Sequence, residues 1–228
     1  MTAARQQTVM NVVELFTSQG CSSCPPADAI ITDLSQRPNL LALSYHVDYW
    51  DYLGWTDPLG SADNTRRQQA YRQSLGNRSV YTPQAIINGQ HDLIGSNAAS
   101  LNAALKTSSD LTLQVKLGVD ATGESFSIRL DGKAQEQKSV VLLTYFKTQT
   151  EAVIRAGENH GHTLTYTNSV ISQRPLGMWN GGVDVKTMPM SDMKKANCDG
   201  CAVIVQNLRA DGGLGRIIGA DAYTKAIG

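Results

Sequence analysis

The sequence has no apolar run near the roughly 20 residues that a membrane-spanning helix needs, and it has no excess of either charge. Its 20 Lys and Arg residues balance 20 Asp and Glu residues, so charge gives no reason to expect nucleic acid or an anionic membrane as a partner. It also lacks a glycine-rich phosphate loop, and no organic cofactor is expected. These absences leave a protein or a small molecule as the expected partner.

Cysteine is scarce too, with four in 228 residues, but the four form two C-x-x-C pairs. The first pair, Cys21 and Cys24, follows an apolar segment, 9–17, that is predicted to be a buried strand. It precedes a segment, 25–34, that is predicted to be a helix entered through two prolines. A dithiol between a strand and a helix favours thiol–disulfide exchange, while a structural disulfide and a shared metal are the alternatives.

Exchange chemistry needs an accessible thiol of lowered pKa and a second thiol to resolve the mixed disulfide. The outer cysteine of such a motif is usually the first, so we assign Cys21 as the nucleophile and Cys24 as the resolving thiol. Because proline suits the first helical turn, the helix is expected to begin at about Pro25. Cys24 would then lie near the N-cap, where the helix dipole favours a thiolate.

A second segment, Tyr81-Thr82-Pro83, precedes a predicted strand and an Asn-Gly hairpin signal. Taken alone, the Thr82–Pro83 bond is an ordinary trans bond more often than a cis one. After a strand, a dithiol and a helix, it is the expected cis-proline partner of the dithiol. We therefore predict that Tyr81, Thr82 and Pro83 contact the substrate.

Five aromatic residues fall between positions 45 and 55, and four of them lie within a predicted insert at about 47–80. They predict either one wall of a substrate groove, with Trp50 as a contact, or a lid packed over the sheet. His46 and Asp48 share a strand face and are candidates for proton transfer at the resolving thiol. A structural role is the alternative for His46, and the Arg- and Gln-rich segment 65–75 is predicted to be an exposed helix.

The second pair, Cys198 and Cys201, flanks Asp-Gly and precedes a predicted strand. Its interpretations are a structural disulfide that pins a turn, and a second dithiol that exchanges electrons with the first. A shared zinc site is disfavoured, because 173 residues separate Cys24 from Cys198 and zinc ribbons place their pairs about 15–20 apart. His160 and His162 lie in a Gly-rich stretch that predicts a turn, so no metal site is expected.

The chain resembles known families on these residues. Residues 9–106 resemble a thioredoxin-like domain with Cys21 and Cys24 as its redox pair. The segment ELFTSQGCSSCPPAD at 14–28 more closely resembles a mostly secreted bacterial family catalogued as domain of unknown function 1223, and the segments 46–51 and 157–164 fit it as well. Ser-Ser between the cysteines departs from ordinary thioredoxin, so neither the redox potential nor the partner carries over.

After residue 110 the pattern changes to period-two strands with Gly turns, which favours an antiparallel sandwich or barrel. We therefore expect an α/β thioredoxin-like domain at 8–108, followed by an all-β, antiparallel sandwich-like domain at 109–228. The expected function is a thiol–disulfide oxidoreductase acting on protein or small-molecule disulfides. The alternative is a non-enzymatic secreted binding module with structural disulfides. The resemblance implies a periplasmic or secreted location, with the signal peptide absent from this chain.

Overall fold

The computed structural model describes residues 9–225. In the first half the elements are β1 (Asn11–Thr17), α1 (Pro25–Ser35), β2 (Leu40–His46), a 3₁₀ turn (Asp51–Leu53), α2 (Ala62–Leu75), β3 (Gln84–Ile87), β4 (His91–Ile94) and α3 (Ala98–Thr107). The second half contains β5 (Gln114–Val119), β6 (Ser125–Gly132), β7 (Ser139–Val153), β8 (Thr163–Trp179), β9 (Gly182–Pro189), α4 (Ser191–Lys195), β10 (Gly200–Leu208) and β11 (Leu214–Thr224).

Eight strands from both halves form one mixed sheet in the order β11-β10-β7-β8-β2-β1-β3-β4. Within it, β1 pairs in parallel with β2, and β2 pairs in parallel with β8 at Ser44 and Ser169. The remaining neighbours are antiparallel. A separate antiparallel sheet has the order β5-β6-β9.

The expected fold class, an α/β thioredoxin-like domain followed by a separate antiparallel β-domain, is therefore wrong. Among residues 9–225 the structure is mostly β, with 44% strand and 20% helix, and its large sheet runs across the expected division. β2 pairs with β1 along one edge, and β8 from the second half pairs with its other edge. This arrangement leaves fewer unpaired backbone groups than two separate sheets would. The boundary at 108–109 as a limit of folding units stays a prediction, and residues 8 and 226–228 lie outside the described residues.

Three apolar clusters surround the large sheet. On one face, β1 and β2 pack against α1, with Leu15, Ile31 and Leu34 among the buried contacts. On the other face, α2 and β11 lie against the same strands, and the sheet folds back so that Ile217 N donates to Asn88 O at 2.9 Å. The three-stranded sheet covers β7 and β10. Helix α1, which follows Cys24, lies on the first face. The dithiol therefore lies between the end of the buried strand β1 and the start of this helix.

The helix α2 is not exposed on all sides, which corrects the interpretation of segment 65–75. Arg67 and Tyr71 are buried, and Arg67 Nε donates to Glu14 Oε1 at 2.6 Å. Arg67 also donates to Gln206 Oε1 on β10 at 3.0 Å. Part of the predicted solvated face is therefore buried, because Arg67 finds partners on strands distant in sequence, whereas Arg66 and Gln73 remain exposed.

Candidate dithiol site

Cys21 and Cys24 are joined by a disulfide with a Cα–Cα distance of 5.4 Å. Cys24 is the N-cap of α1 and Pro25 and Pro26 open the helix, which confirms the predicted start. Ala27 N and Asp28 N donate to Cys24 O at 2.8 and 3.1 Å. The first turn therefore begins at the second cysteine, and because Pro25 and Pro26 carry no N–H, its first two backbone donors are those of Ala27 and Asp28.

Both cysteines are covered, since Cys21 is 1% exposed and Cys24 is fully buried. Ser23 Oγ lies 3.4 Å from Cys21 Sγ and also donates to Thr82 O at 3.5 Å. The exposed nucleophile expected from the motif is therefore not accessible in this disulfide form. A partner can reach Cys21 only after its surroundings move.

The loop between β7 and β8 supplies much of the cover. Asn159 Nδ2 donates to both Gln19 O and Cys21 O, at 2.8 and 2.9 Å. Ser22 N donates to Glu158 Oε2 at 3.0 Å, and hydrogen bonds from Ser22 hold the pKa of this exposed carboxyl below its ordinary value. A loop of the second half thus binds the backbone immediately before and within the C-x-x-C motif.

The Thr82–Pro83 bond is cis, as the motif context predicted. Trp50 Nε1 donates to Thr82 Oγ1 at 2.8 Å, so the insert and the proline segment meet beside the dithiol. A Cβ atom at Gly20 would come 3.0 Å from Trp50 Cβ, so the absence of a side chain there permits this close approach. Tyr81 instead donates its hydroxyl to Asp92 Oδ1 on β4 at 2.6 Å.

Behind the disulfide lies a buried pair of His46 and Asp57. His46 Nδ1 lies 2.7 Å from Asp57 Oδ2, and both side chains are fully buried. Burial raises the pKa of Asp57, but His46 and hydrogen bonds from His46, Gln19 N and Leu59 N outweigh it and hold this pKa below its ordinary value. Because Asp57 is ionised and accepts, His46 Nδ1 carries the hydrogen and Nε2 faces the interior.

Asp28 is the second buried acid of this region, one helical turn beyond Cys24. Its Oδ1 accepts from Thr17 Oγ1 at 2.8 Å, whereas its Oδ2 has no partner among the described residues. Burial raises its pKa from 3.8 to about 7, against opposing effects of His46 and Thr17. A carboxyl with this pKa can exchange a proton near neutral pH.

Unpartnered polar atoms gather around this acid within residues 9–225. They are Asp28 Oδ2, His46 Nε2 and the Tyr166 hydroxyl. The His46 and Tyr166 rings meet edge to face with centroids 4.7 Å apart, and burial followed by the charges of Asp28 and Asp57 raises the pKa of Tyr166. Buried polar groups ordinarily have hydrogen-bond partners, so this space is suited to an internal water or to proton transfer between the groups.

Sequence reasoning singled out His46 but missed Asp28, Asp57, Gln19 and Asn159 as members of the site. The i, i+4 spacing from Cys24 on the apolar face of α1 is a signal that could have identified Asp28. The other predicted proton carrier, Asp48, is hydrogen-bonded to α2 instead. Its Oδ1 accepts from Thr65 Oγ1 at 2.6 Å, which ties the insert to α2.

The second cysteine pair lies in the core between the two sheets. Cys198 and Cys201 are both free thiols, and burial, followed by the neighbouring Cys198 and Asp221, raises the pKa of Cys201 to about 12. His160 and His162 are exposed in the β7–β8 loop. Between residues 9 and 225 no group of three or more His, Cys, Asp or Glu residues is arranged to hold a metal ion.

Comparisons with known proteins place the chain in one family. Residues 12–206 match the family described as Protein of unknown function (DUF1223), and the chain belongs to that family. An X-ray structure of a protein from Agrobacterium tumefaciens is 36% identical, with a TM-score of 0.85 over 98% of this chain and 97% of that chain.

A more distant structural similarity is to HBP35 of Porphyromonas gingivalis. It is 14% identical with a TM-score of 0.63, over 98% of this chain and 76% of that chain, and this likeness concerns the fold alone. No curated protein matches the chain. In the part of the chain from 9 to 225, no helix has both the length and the apolar character needed to cross a membrane.

Proposed function

We propose that this protein is a thiol–disulfide oxidoreductase whose redox pair is Cys21 and Cys24. The observation that carries the proposal is the disulfide at the junction of β1 and α1, with the buried acid Asp28 one turn further along the helix. A purely structural disulfide does not require a buried titratable group nearby. Perturbed pKa values of this kind cluster at functional sites.

In the reducing direction, the thiolate of Cys21 attacks one sulfur of a substrate disulfide. A Cys21–substrate disulfide forms, and the other substrate sulfur leaves as a thiolate. The thiolate of Cys24 then attacks Cys21 Sγ, which restores the Cys21–Cys24 disulfide and releases the second substrate thiolate. The substrate gains two electrons, the enzyme dithiol loses two, and an external dithiol must reduce the enzyme again. The reverse sequence oxidises a substrate dithiol.

Asp28 suits the role of proton acceptor in the second step. Cys24 must lose its proton before it attacks, and it is fully buried, where a thiolate is costly. The carboxylate of Asp28, with a pKa of about 7, accepts that proton at neutral pH and returns it in the reverse direction. Thr17, which donates to Oδ1, leaves Oδ2 available for this transfer.

Trapping of the mixed disulfide tests the proposal. A Cys24→Ser variant, incubated with a synthetic peptide that contains one disulfide, is expected to form a Cys21-linked adduct that a reductant releases. Replacing Cys21 with Ser as well should abolish this adduct. Peptide mapping distinguishes an adduct at Cys21 from reactions at Cys198 or Cys201. No adduct at Cys21, when the variant is reduced first and the reductant is removed before the peptide is added, would refute the exchange chemistry.

A second candidate function is a non-enzymatic binding module in which the disulfide is structural. The burial of both cysteines favours it, because an exchange site must present a sulfur to its partner. Alkylation after mild reduction separates the two functions. An exchange site opens and Cys21 is modified in the folded protein, whereas a structural disulfide stays intact or is reduced only with unfolding.

The cellular location proposed for this chemistry is the periplasm or the exterior of the cell. Disulfides persist in oxidising compartments and are rare in the cytosol. A measurement of the Cys21–Cys24 redox state by rapid alkylation in the source cells tests the location. A permanently reduced pair would contradict it.

A further inference from the structure

The outer part of β7 leaves one strand edge unpaired. β10 pairs with β7 only as far as Phe146, whereas β8 pairs with β7 as far as Val153. Within residues 9–225, no strand pairs with the other edge of β7 beyond Phe146. Asp199 caps the start of this edge, because Thr148 N donates to its Oδ1 at 2.7 Å. Beyond Thr148, the edge offers backbone groups to a partner.

A cleft of about 760 Å³ borders the outer part of β7 and extends over Ile171 of β8, and its volume is within the range of ligand sites, roughly 300–1,000 Å³. Thr150 and Ala152 line it from β7, and apolar side chains of the insert, Trp55 and Leu59, form the facing wall. The segment from 147 to 153 spans about 20 Å at ~3.3 Å per residue. The cleft is therefore long enough for an extended chain.

The charge of the cleft is positive. Lys147 and Arg155 both line it, and Glu151 is the one carboxylate among its lining residues. In the part of the chain that the structure describes, neither cation takes part in an ion pair. An occupant with apolar side chains and at least one carboxylate would complement this lining.

The cleft ends next to the dithiol. Gln19, two residues before Cys21, lines the cleft, and its Oε1 accepts from Trp55 Nε1 at 2.9 Å. Gln19 O is also one of the two carbonyls bound by Asn159. Arg155 lies in the cleft at the beginning of the loop that carries Asn159. A chain bound along β7 would therefore lie against the segment that covers Cys21.

We infer that the cleft along residues 147–155 binds an extended peptide segment that carries apolar and acidic side chains. The segment pairs its backbone with the free edge of β7 from Thr150 onward. Its apolar side chains contact the insert, and its carboxylates lie near Lys147 and Arg155. Edge pairing of this kind supplies affinity through main-chain hydrogen bonds and specificity through alternate side chains. That the segment flanks a substrate disulfide rests on the proposed function, whereas peptide binding itself does not.

Calorimetric titration of the oxidised protein with capped peptides that lack cysteine tests the inference. A hexapeptide of alternating Leu and Glu is expected to bind saturably. Replacing its Glu with Gln should weaken binding by roughly two- to fivefold per lost ion pair, the range of solvent-accessible pairs. N-methylation of alternate residues should weaken it about tenfold or more, because it removes backbone donors.

Protein variants provide the matched controls. Arg155→Gln and Lys147→Gln should each weaken the Leu–Glu peptide roughly two- to fivefold and leave the Leu–Gln peptide unchanged. Lys106→Gln in the last turn of α3, which does not line the cleft, should leave both unchanged.

Absence of saturable binding, equal binding of a Leu–Lys peptide, or tolerance of N-methylation would overturn the inference. Because these peptides carry no thiol, binding without trapping at Cys21 would refute only the exchange function. Trapping without binding would refute only the peptide site.

Discussion

The pH dependence of stability should reveal the buried carboxyl of Asp28. Its pKa in the folded protein is about 7, compared with an ordinary value of 3.8. The folded state therefore binds a proton that the unfolded state has released, and stability falls as pH rises through this window. A rise of roughly three units corresponds to about 4 kcal/mol at ~1.4 kcal/mol per unit, as an order of magnitude for this 5%-exposed side chain.

An Asp28→Asn variant removes the ionisation while it keeps the shape and the acceptor for Thr17. At pH 4 the neutral carboxylic acid and the amide should give similar free energies of unfolding. At pH 8 the variant should exceed the wild type, and the difference between the two proteins should grow by roughly 3–4 kcal/mol from pH 4 to pH 8. Comparing the same two proteins at both pH values cancels the titration of other groups.

Urea unfolding of the oxidised proteins measures this difference, because the disulfide then removes the two thiols from the titration. Asp33→Asn is the matched control, since Asp33 is an exposed carboxyl on the same helix. Its pH profile should parallel that of the wild type. If the Asp28→Asn profile is also parallel to the wild type, the carboxyl is not a buried acid of raised pKa, and its role as proton acceptor fails with it.

Three other predictions concern the cover, the buried network and the second cysteine pair. Asn159→Ala should accelerate reduction of the Cys21–Cys24 disulfide by a water-soluble phosphine several-fold, as measured by thiol release. His160→Ala in the same loop should not change this rate. Equal rates for the two variants would refute the claim that Asn159 shields the disulfide. Arg67→Met should lower the free energy of unfolding by roughly 3–5 kcal/mol, because it leaves Glu14 as an unpaired buried charge; a loss below about 1 kcal/mol in urea titration would contradict this. Cys198 and Cys201 should resist iodoacetamide at pH 8 until the protein unfolds, because burial raises both pKa values; mass spectrometry of the native protein would show any modification.

Local chemistry could be predicted from the sequence with some accuracy. Pro25-Pro26 marks the start of α1, and Asn88-Gly89 marks the turn between β3 and β4, where both residues have positive φ angles. These predictions succeeded because proline and glycine restrict the backbone within a few residues. The cis bond at Thr82–Pro83 was also expected, although there the context of the neighbouring motifs decided it.

Contacts between distant segments could not be predicted in the same way. Nothing in the alternation of β8 specifies that Ser169 pairs with Ser44, since period-two patterns report which face is buried but not which strand is the neighbour. For the same reason the buried side of α2 was not predicted. An arginine such as Arg67 is expected to be solvent-exposed unless its contacts with Glu14 and Gln206 are known. Expecting two separate sheets was the consequence of reading each half by its own pattern.

The hairpin of β7 and β8 connects these findings. Its β8 strand pairs with β2, and its loop binds the carbonyls of Gln19 and Cys21 through Asn159. The outer edge of its β7 strand forms the cleft beside Gln19. Gln19 belongs to both of these parts, since it lines the cleft and its carbonyl accepts from Asn159. The second half of the chain therefore belongs to the dithiol site itself, and the reactivity of Cys21 should depend on residues about 140 positions away as much as on the serines between the cysteines.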